Sequence, residues 1–67
     1  MITLQLNSEI FSEKNIKYTQ KVYSRLAKIR IEFSSNYWIL QFSDCIYEER
    51  LTIKEFENYL IGLENSK

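Results

Sequence analysis

Apolar and polar residues alternate in three short stretches of the chain, which is the pattern of β-strands with one buried face. The residues predicted to face the core are Ile2, Leu4 and Leu6 in the first stretch, Ile29, Ile31 and Phe33 in the second, and Trp38, Leu40 and Phe42 in the third. Between the last two stretches lies Ser34-Ser35-Asn36. Because Asn tolerates a left-handed backbone, this segment predicts a hairpin turn.

The pattern changes to a helical repeat between the first two strands. Ser12 is suited to cap a helix start, and the repeat predicts a helix from about Glu13 to Ala27. Its predicted buried arc consists of Ile16, Thr19, Val22, Tyr23, Leu26 and Ala27. Its predicted outer face is basic and consists of Lys14, Lys17, Lys21, Arg25 and Lys28. The sequence therefore predicts an amphipathic helix that leads almost directly into the second strand.

A second helical repeat follows the third strand. Thr52 and Glu55 have the spacing of a capping box, and Leu51 and Phe56 have that of a hydrophobic staple, so the helix is predicted to begin at Ile53. The segment 44–50 before it reads equally as a loop or as a short irregular strand. The predicted buried arc is Ile53, Phe56, Tyr59, Leu60 and Leu63.

The only glycine, Gly62, predicts where the second helix frays, and residues 64–67 are predicted to be a tail. The element order is thus β-α-β-β-α in one domain, residues 1–67, with an ordered core at about residues 2–63. We expect an α+β fold of two layers, in which a right-handed crossover places both helices on one face of a three-stranded sheet. The other sheet face stays uncovered. The strand order and the oligomeric state stay open.

The amino-acid composition indicates a small folded domain and the kind of compartment it belongs to. The chain has 67 residues, of which 45% are hydrophobic and 15% aromatic, enough for a small core. Its single cysteine, Cys45, cannot form an internal disulfide, which favours a reducing compartment. No signal peptide and no bilayer-spanning apolar run is recognisable, so we expect a cytoplasmic protein without a membrane partner. Small domains of this kind often gain stability from a partner, and a homodimer is one option.

The sequence offers little for catalysis. It contains no histidine, which removes the commonest general base and transition-metal ligand, and one glycine cannot form a phosphate-binding loop. The carboxylates of Asp44, Glu48 and Glu49 disfavour a thiolate at Cys45. We therefore predict that the protein is not an enzyme, with no catalytic residues, no metal site and no cofactor.

Two surfaces are candidates for binding. The uncovered sheet face is predicted to present Arg30, Tyr37, Ile39 and Gln41 beside Thr3, Gln5 and Glu32. Tyr and Arg are common interface anchors, although scattered surface residues would give the same pattern. The basic helix face would contact a protein or nucleic-acid phosphates, or it is an ordinary solvated face. Residues 1–30 carry six bases and two acids, a formal charge of +4, and residues 31–67 carry three bases and seven acids, −4.

The segment from Leu4 to Ser12, followed by Ile16 and Tyr23 in a helix and by Ile29 and Ile31 in a strand, resembles the opening of the His-Xaa-Ser system protein HxsD family. Phe56-Glu57-Asn58-Tyr59-Leu60 is similar to the closing Phe-x-Asn-x-Leu segment of that family. The similarity spans roughly residues 2–61.

The resemblance implies an accessory protein of radical SAM enzymes that modify ribosomally made peptides. Such a protein would assist the enzyme and would bring no catalytic residues of its own. The first functional hypothesis is therefore a non-enzymatic protein that binds a peptide-maturing enzyme, its precursor peptide, or both. The alternative is a small nucleic-acid-binding or regulatory protein that uses the basic helix face.

Overall fold

A computed structural model describes residues 2–66 and shows an α+β domain of two layers. The element order is β-α-β-β-α, as the sequence predicts. The elements are β1 (Ile2–Asn7), α1 (Glu13–Val22), β2 (Lys28–Ser34), β3 (Tyr37–Ser43) and α2 (Glu49–Asn65). Within this described part, neither helix combines the length and the apolar content that crossing a bilayer requires.

The three strands form one sheet with the order β1-β3-β2. β3 is central and runs antiparallel to both neighbours, so β1 and β2 run parallel to each other on either side of it. This is a split β-α-β arrangement, in which a third strand lies between the two that the helix connects. The strand order, which the sequence leaves open, thus places β1 and β2 at the two edges.

The turn between β2 and β3 is the hairpin that the sequence predicts. Ser34 pairs with Tyr37, which leaves a two-residue loop of Ser35 and Asn36. Both loop residues have positive φ angles, 49° and 69°. Positive φ at both central positions is the mark of a type I′ turn, whose twist matches that of the flanking strands. The turn therefore fixes the register of this strand pair.

Replacing the loop by Asn-Gly, with Ser35→Asn and Asn36→Gly, is expected to stabilise the protein by about 1 kcal/mol. The reason is that a left-handed backbone is costly for Ser, less costly for Asn and almost free of cost for Gly. Urea denaturation followed by Trp38 fluorescence would measure the gain. As a control, Asn36→Val should destabilise, and equal midpoints for both variants would contradict the turn assignment.

The core lies between the inner sheet face and the two helices. The inner side chains form three rows across the strands, Ile2–Phe42–Ile29, Leu4–Leu40–Ile31 and Leu6–Trp38–Phe33. Phe42 and Phe56 are fully buried, with ring centroids 5.2 Å apart. Trp38 is half-buried and donates its indole N–H to the carbonyl of Phe11. The inward register of β3 is confirmed, although Phe33, at the end of an edge strand, remains 56% exposed.

The first helix begins as predicted and ends earlier. The Ser12 hydroxyl accepts a hydrogen bond from the Asn15 amide and caps α1. The predicted end at Ala27 is wrong, because α1 ends at Val22 and the next residues form a turn that leads into β2. The chain must cross from the helical layer to the sheet before Lys28, so the last predicted turn opens. Val22, predicted to be buried, is 46% exposed.

The predicted start of the second helix at Ile53 is also wrong. α2 begins at Glu49, and the Glu48 carboxylate caps it by accepting hydrogen bonds from the amides of Arg50 and Leu51. Thr52 is therefore inside the helix, buried, with its hydroxyl donating to the Glu48 carbonyl. No residue of this stretch resists helix formation, so one further turn is added in place of the predicted capping box. Segment 44–50 is consequently loop followed by helix.

The predicted fraying at Gly62 is wrong as well, since α2 continues to Asn65. Glu64, predicted to belong to a tail, accepts hydrogen bonds from the amide and the hydroxyl of Ser12, at 2.8 and 3.2 Å. These contacts hold the last turn of α2 against the cap of α1 and offset the low helix propensity of glycine. The prediction for Lys67 lies outside the described residues.

Candidate functional site

The outer face of the sheet is the first candidate site, and the register assembles it as predicted. Both helices pack on the opposite face, and no described segment covers this one. In the central strand, Tyr37 is 43% exposed, and Ile39 and Gln41 are half-buried. The rows across this face are Thr3–Gln41–Arg30, Gln5–Ile39–Glu32 and Asn7–Tyr37–Ser34.

The polar groups of this face surround an apolar centre. The Arg30 Nε lies 3.8 Å from Glu32 Oε1, and both side chains are more than half exposed. An ion pair at that distance and exposure is a weak, screened attraction. The Arg30 guanidinium therefore stays accessible to a carboxylate on a partner. Ile39 lies in the middle row and Tyr37 at the hairpin end of the same strand. The face thus combines an aliphatic centre, an aromatic ring and a cation.

The predicted basic face is not a single helix face. Lys14, Lys17 and Lys21 lie on α1, Arg25 lies in the turn after it, and Lys28 belongs to β2. Two of these bases have acidic neighbours. Lys17 pairs with Glu13 at 3.1 Å, and Lys28 pairs with Asp44 at 3.3 Å. The early end of α1 is the reason that the predicted stripe divides.

An open depression of about 920 Å³ adjoins α1. Four of the five predicted bases border it, and they are Lys14, Lys17, Lys21 and Lys28. Its other boundaries include Ile29 on the edge strand β2 and Leu63 on α2. Since these two residues lie on opposite flanks of α1, the depression is an open surface and not an enclosed ligand cavity. Such a surface suits an extended anionic molecule better than a small ligand.

Sequence reasoning missed an apolar surface on the helical layer. Tyr18 and Val22 on α1 and Tyr59 on α2 are exposed side by side with the core aromatic Tyr23, whose ring centroid lies 5.9 Å from that of Tyr59. A hydrogen bond with the Tyr18 side chain, together with desolvation, raises the pKa of Tyr59. The i, i+4 spacing of Tyr18 and Val22 is the signal for this surface in the sequence, but the predicted buried arcs include Val22 and Tyr59.

Cys45 lies just after β3, at the end of the sheet opposite the β2–β3 hairpin. Partial burial and the nearby carboxylates of Glu49 and Asp44 raise the pKa of the Cys45 thiol. The thiol is therefore predominantly protonated near neutral pH, as expected from its acidic neighbours. Within residues 2–66, the structure brings no three side chains of Cys, Asp or Glu together as a metal-binding group.

Comparisons with known proteins identify no relative of this chain. No protein-family model matches the chain, and neither curated proteins nor solved structures gave a significant match.

Proposed function

We propose that this protein is a non-enzymatic binding protein that contacts a protein or peptide partner through the outer face of its sheet. The observation that supports this proposal is the exposed Tyr37 together with the half-buried Ile39 on the central strand of a face that no described segment covers. An aromatic residue next to an aliphatic one, with an arginine on the same face, is a combination that protein interfaces favour.

The resemblance to the HxsD family is what supports a more specific proposal for the partner. In this proposal the protein is a cytoplasmic accessory protein in peptide maturation, and it binds a radical SAM enzyme, its precursor peptide, or both. Arg30 would then contact a carboxylate of the partner, while Tyr37 and Ile39 pack against its apolar side chains. Gln41, beside Arg30 in the register, supplies amide hydrogen bonds.

A second proposal uses the surface around α1. Lys14, Lys17, Lys21 and Lys28 border one open depression, and this arrangement favours a polyanion such as nucleic acid. Arg25, in the turn, would extend the contact. The acidic neighbours of Lys17 and Lys28 reduce the net positive charge there. For this reason the sheet face is the preferred site.

Affinity capture with three matched baits distinguishes the two proposals. The baits are the wild-type protein, a sheet variant with Tyr37→Ser and Ile39→Thr, and a helix variant with Lys17→Glu and Lys21→Glu. Proteins captured by the wild type are expected to be retained by the helix variant and lost by the sheet variant. The loss should reach about a hundredfold in affinity, because truncating two central anchors costs roughly 3 kcal/mol.

Thermal melts of both variants are the control, since only folded baits are comparable. Binding kinetics on the captured partner should show faster dissociation for the sheet variant and a change mainly in association for the helix variant. Undiminished binding by the sheet variant, with loss in the helix variant and in high salt, would contradict the first proposal and favour a nucleic-acid partner.

A further inference from the structure

The two edges of the sheet differ in how they are protected. The β2 edge carries Lys28, Arg30 and Glu32, and the Gln20 side-chain amide on α1 donates to the Ile29 carbonyl at that edge. The β1 strand, ITLQLN, has no charge, no proline and no bulge. Charged residues, proline and covering groups are the means by which proteins block pairing at a sheet edge. β1 therefore has an unprotected edge.

The hydrogen-bond pattern shows which backbone groups of β1 point outward. The Ser8 amide donates to the Asn36 carbonyl, 3.0 Å away, which continues the β1–β3 ladder. Because hydrogen-bonded pairs alternate in antiparallel strands, the backbone N–H and C=O groups of the even-numbered residues of β1 point toward β3. The residues whose backbone N–H and C=O groups point away from β3, toward the free edge, are consequently Thr3, Gln5 and Asn7.

Asn7 is already engaged, because its carbonyl accepts from the amides of Ile10 and Phe11. Thr3 and Gln5 thus present the amides and carbonyls that an added strand can reach. An added strand could come from a second copy or from an extended peptide, and the sequence of β1 favours a second copy.

We propose that β1 pairs antiparallel with β1 of a second copy, forming a continuous six-stranded sheet. With Thr3 opposite Gln5 of the second copy, each such pair exchanges two hydrogen bonds, and the symmetry generates the pair twice. The same register places Leu4 opposite Leu4 and Ile2 opposite Leu6, all on the inner face. Ile2 and Leu4, which are only half-buried in one chain, become covered. Leu4 lies at the symmetry axis, and no like charges meet between the paired strands.

The second helix adds apolar area to this contact. Gln20 places α1 toward the β2 edge, so α2, packed beside α1 on the same sheet face, lies toward β1. At 100° per residue, the flank of α2 that faces away from Tyr59 and α1 carries Ile53 and Ile61, with Glu57 between them. Ile61 is 40% exposed, and Ile53 is half-buried. In the dimer these flanks face each other across the axis. This dimer is independent of the proposed partner and would place two outer sheet faces side by side.

Sedimentation of the full chain from micromolar to submillimolar concentration tests the proposal. A concentration-dependent mass approaching twice the 8.1 kDa of one chain is expected. Gln5→Pro should weaken the dimer by on the order of a hundredfold, because it removes an outward N–H that the β1–β3 ladder does not use. Gln5→Thr keeps that N–H and should dimerise like the wild type. Circular dichroism and Trp38 fluorescence verify that both variants fold.

Amide hydrogen exchange on the wild type gives a test that needs no variant. The amides of Thr3 and Gln5 should exchange at least about tenfold more slowly at the highest concentration than at the lowest. The Leu4 and Leu6 amides, which face β3, should be protected throughout. A monomer at all concentrations would overturn the proposal, as would an unweakened dimer of a folded Gln5→Pro. Protection of Gln5 only when a partner protein is added would assign this edge to a foreign strand and also overturn it.

Discussion

Trp38→Ala is expected to cost about 3–5 kcal/mol, which is comparable to the whole stability of a domain of this size. The ring of Trp38 lies between Leu6 and Phe33 in its row, with its centroid 4.7 Å from that of Phe33. Its indole N–H donates to the Phe11 carbonyl at 3.2 Å, so the ring also holds the loop between β1 and α1. Urea denaturation followed by far-ultraviolet circular dichroism should find the variant largely unfolded without denaturant.

Two matched variants separate the contributions of this side chain. Trp38→Phe keeps an aromatic ring and loses the hydrogen bond, so it should cost about 1–2 kcal/mol. Phe33→Ala removes the exposed neighbour and should cost about 0.5–1.5 kcal/mol. A melting temperature for Trp38→Ala within a few degrees of the wild type would mean that the register of β3 is wrong.

Phe56→Ala should be as destabilising as Trp38→Ala, with a cost of about 3–5 kcal/mol. Phe56 is fully buried at the centre of α2, and its ring makes edge-to-face contacts with those of Phe42 and Tyr23. Removing it would leave a cavity between the sheet and both helices, which cannot close without moving all three. Urea denaturation monitored by Trp38 fluorescence would measure this loss.

Leu51→Ala is the matched control in the same helix. Leu51 is 52% exposed in the first turn of α2, so this change should cost less than about 0.5 kcal/mol. The hydrophobic staple predicted from the sequence would instead pack Leu51 against Phe56. Costs of similar size for the two variants would support that staple, and with it a helix that begins at Ile53.

The strands and the hairpin could be predicted because local signals agree there. Alternation in each stretch and the positive-φ tolerance of Asn36 specify the same register. The start of α2 could not be predicted, because Thr52 and Glu48 are competing caps four residues apart. The carboxylate of Glu48 satisfies two amides, and burial of Thr52 against the core depends on tertiary packing that a local pattern does not contain. The end of α2 likewise depends on Ser12, which is distant in sequence from Glu64.

The outer sheet face could be predicted residue by residue, since alternation alone assigns Tyr37, Ile39 and Gln41 to one side. The division of the basic face could not be predicted, because it depends on where α1 ends. The difference between the two sheet edges could not be predicted from the sequence either. It follows from the strand order β1-β3-β2 and from the contact of Gln20 with β2, and both are properties of the assembled fold.

The split strand order has a consequence for synthesis on the ribosome. β2 and β3 are adjacent in the chain, and their hairpin closes over a two-residue loop. β1, in contrast, pairs with β3 across sequence separations from Asn7–Tyr37 to Ile2–Phe42. At about 5–20 residues per second, β1 emerges from the ribosome seconds before its partner strand does. During that interval an uncharged strand of alternating apolar residues is exposed and unpaired, so nascent chains should be most prone to aggregation, and to capture by chaperones, through their first strand.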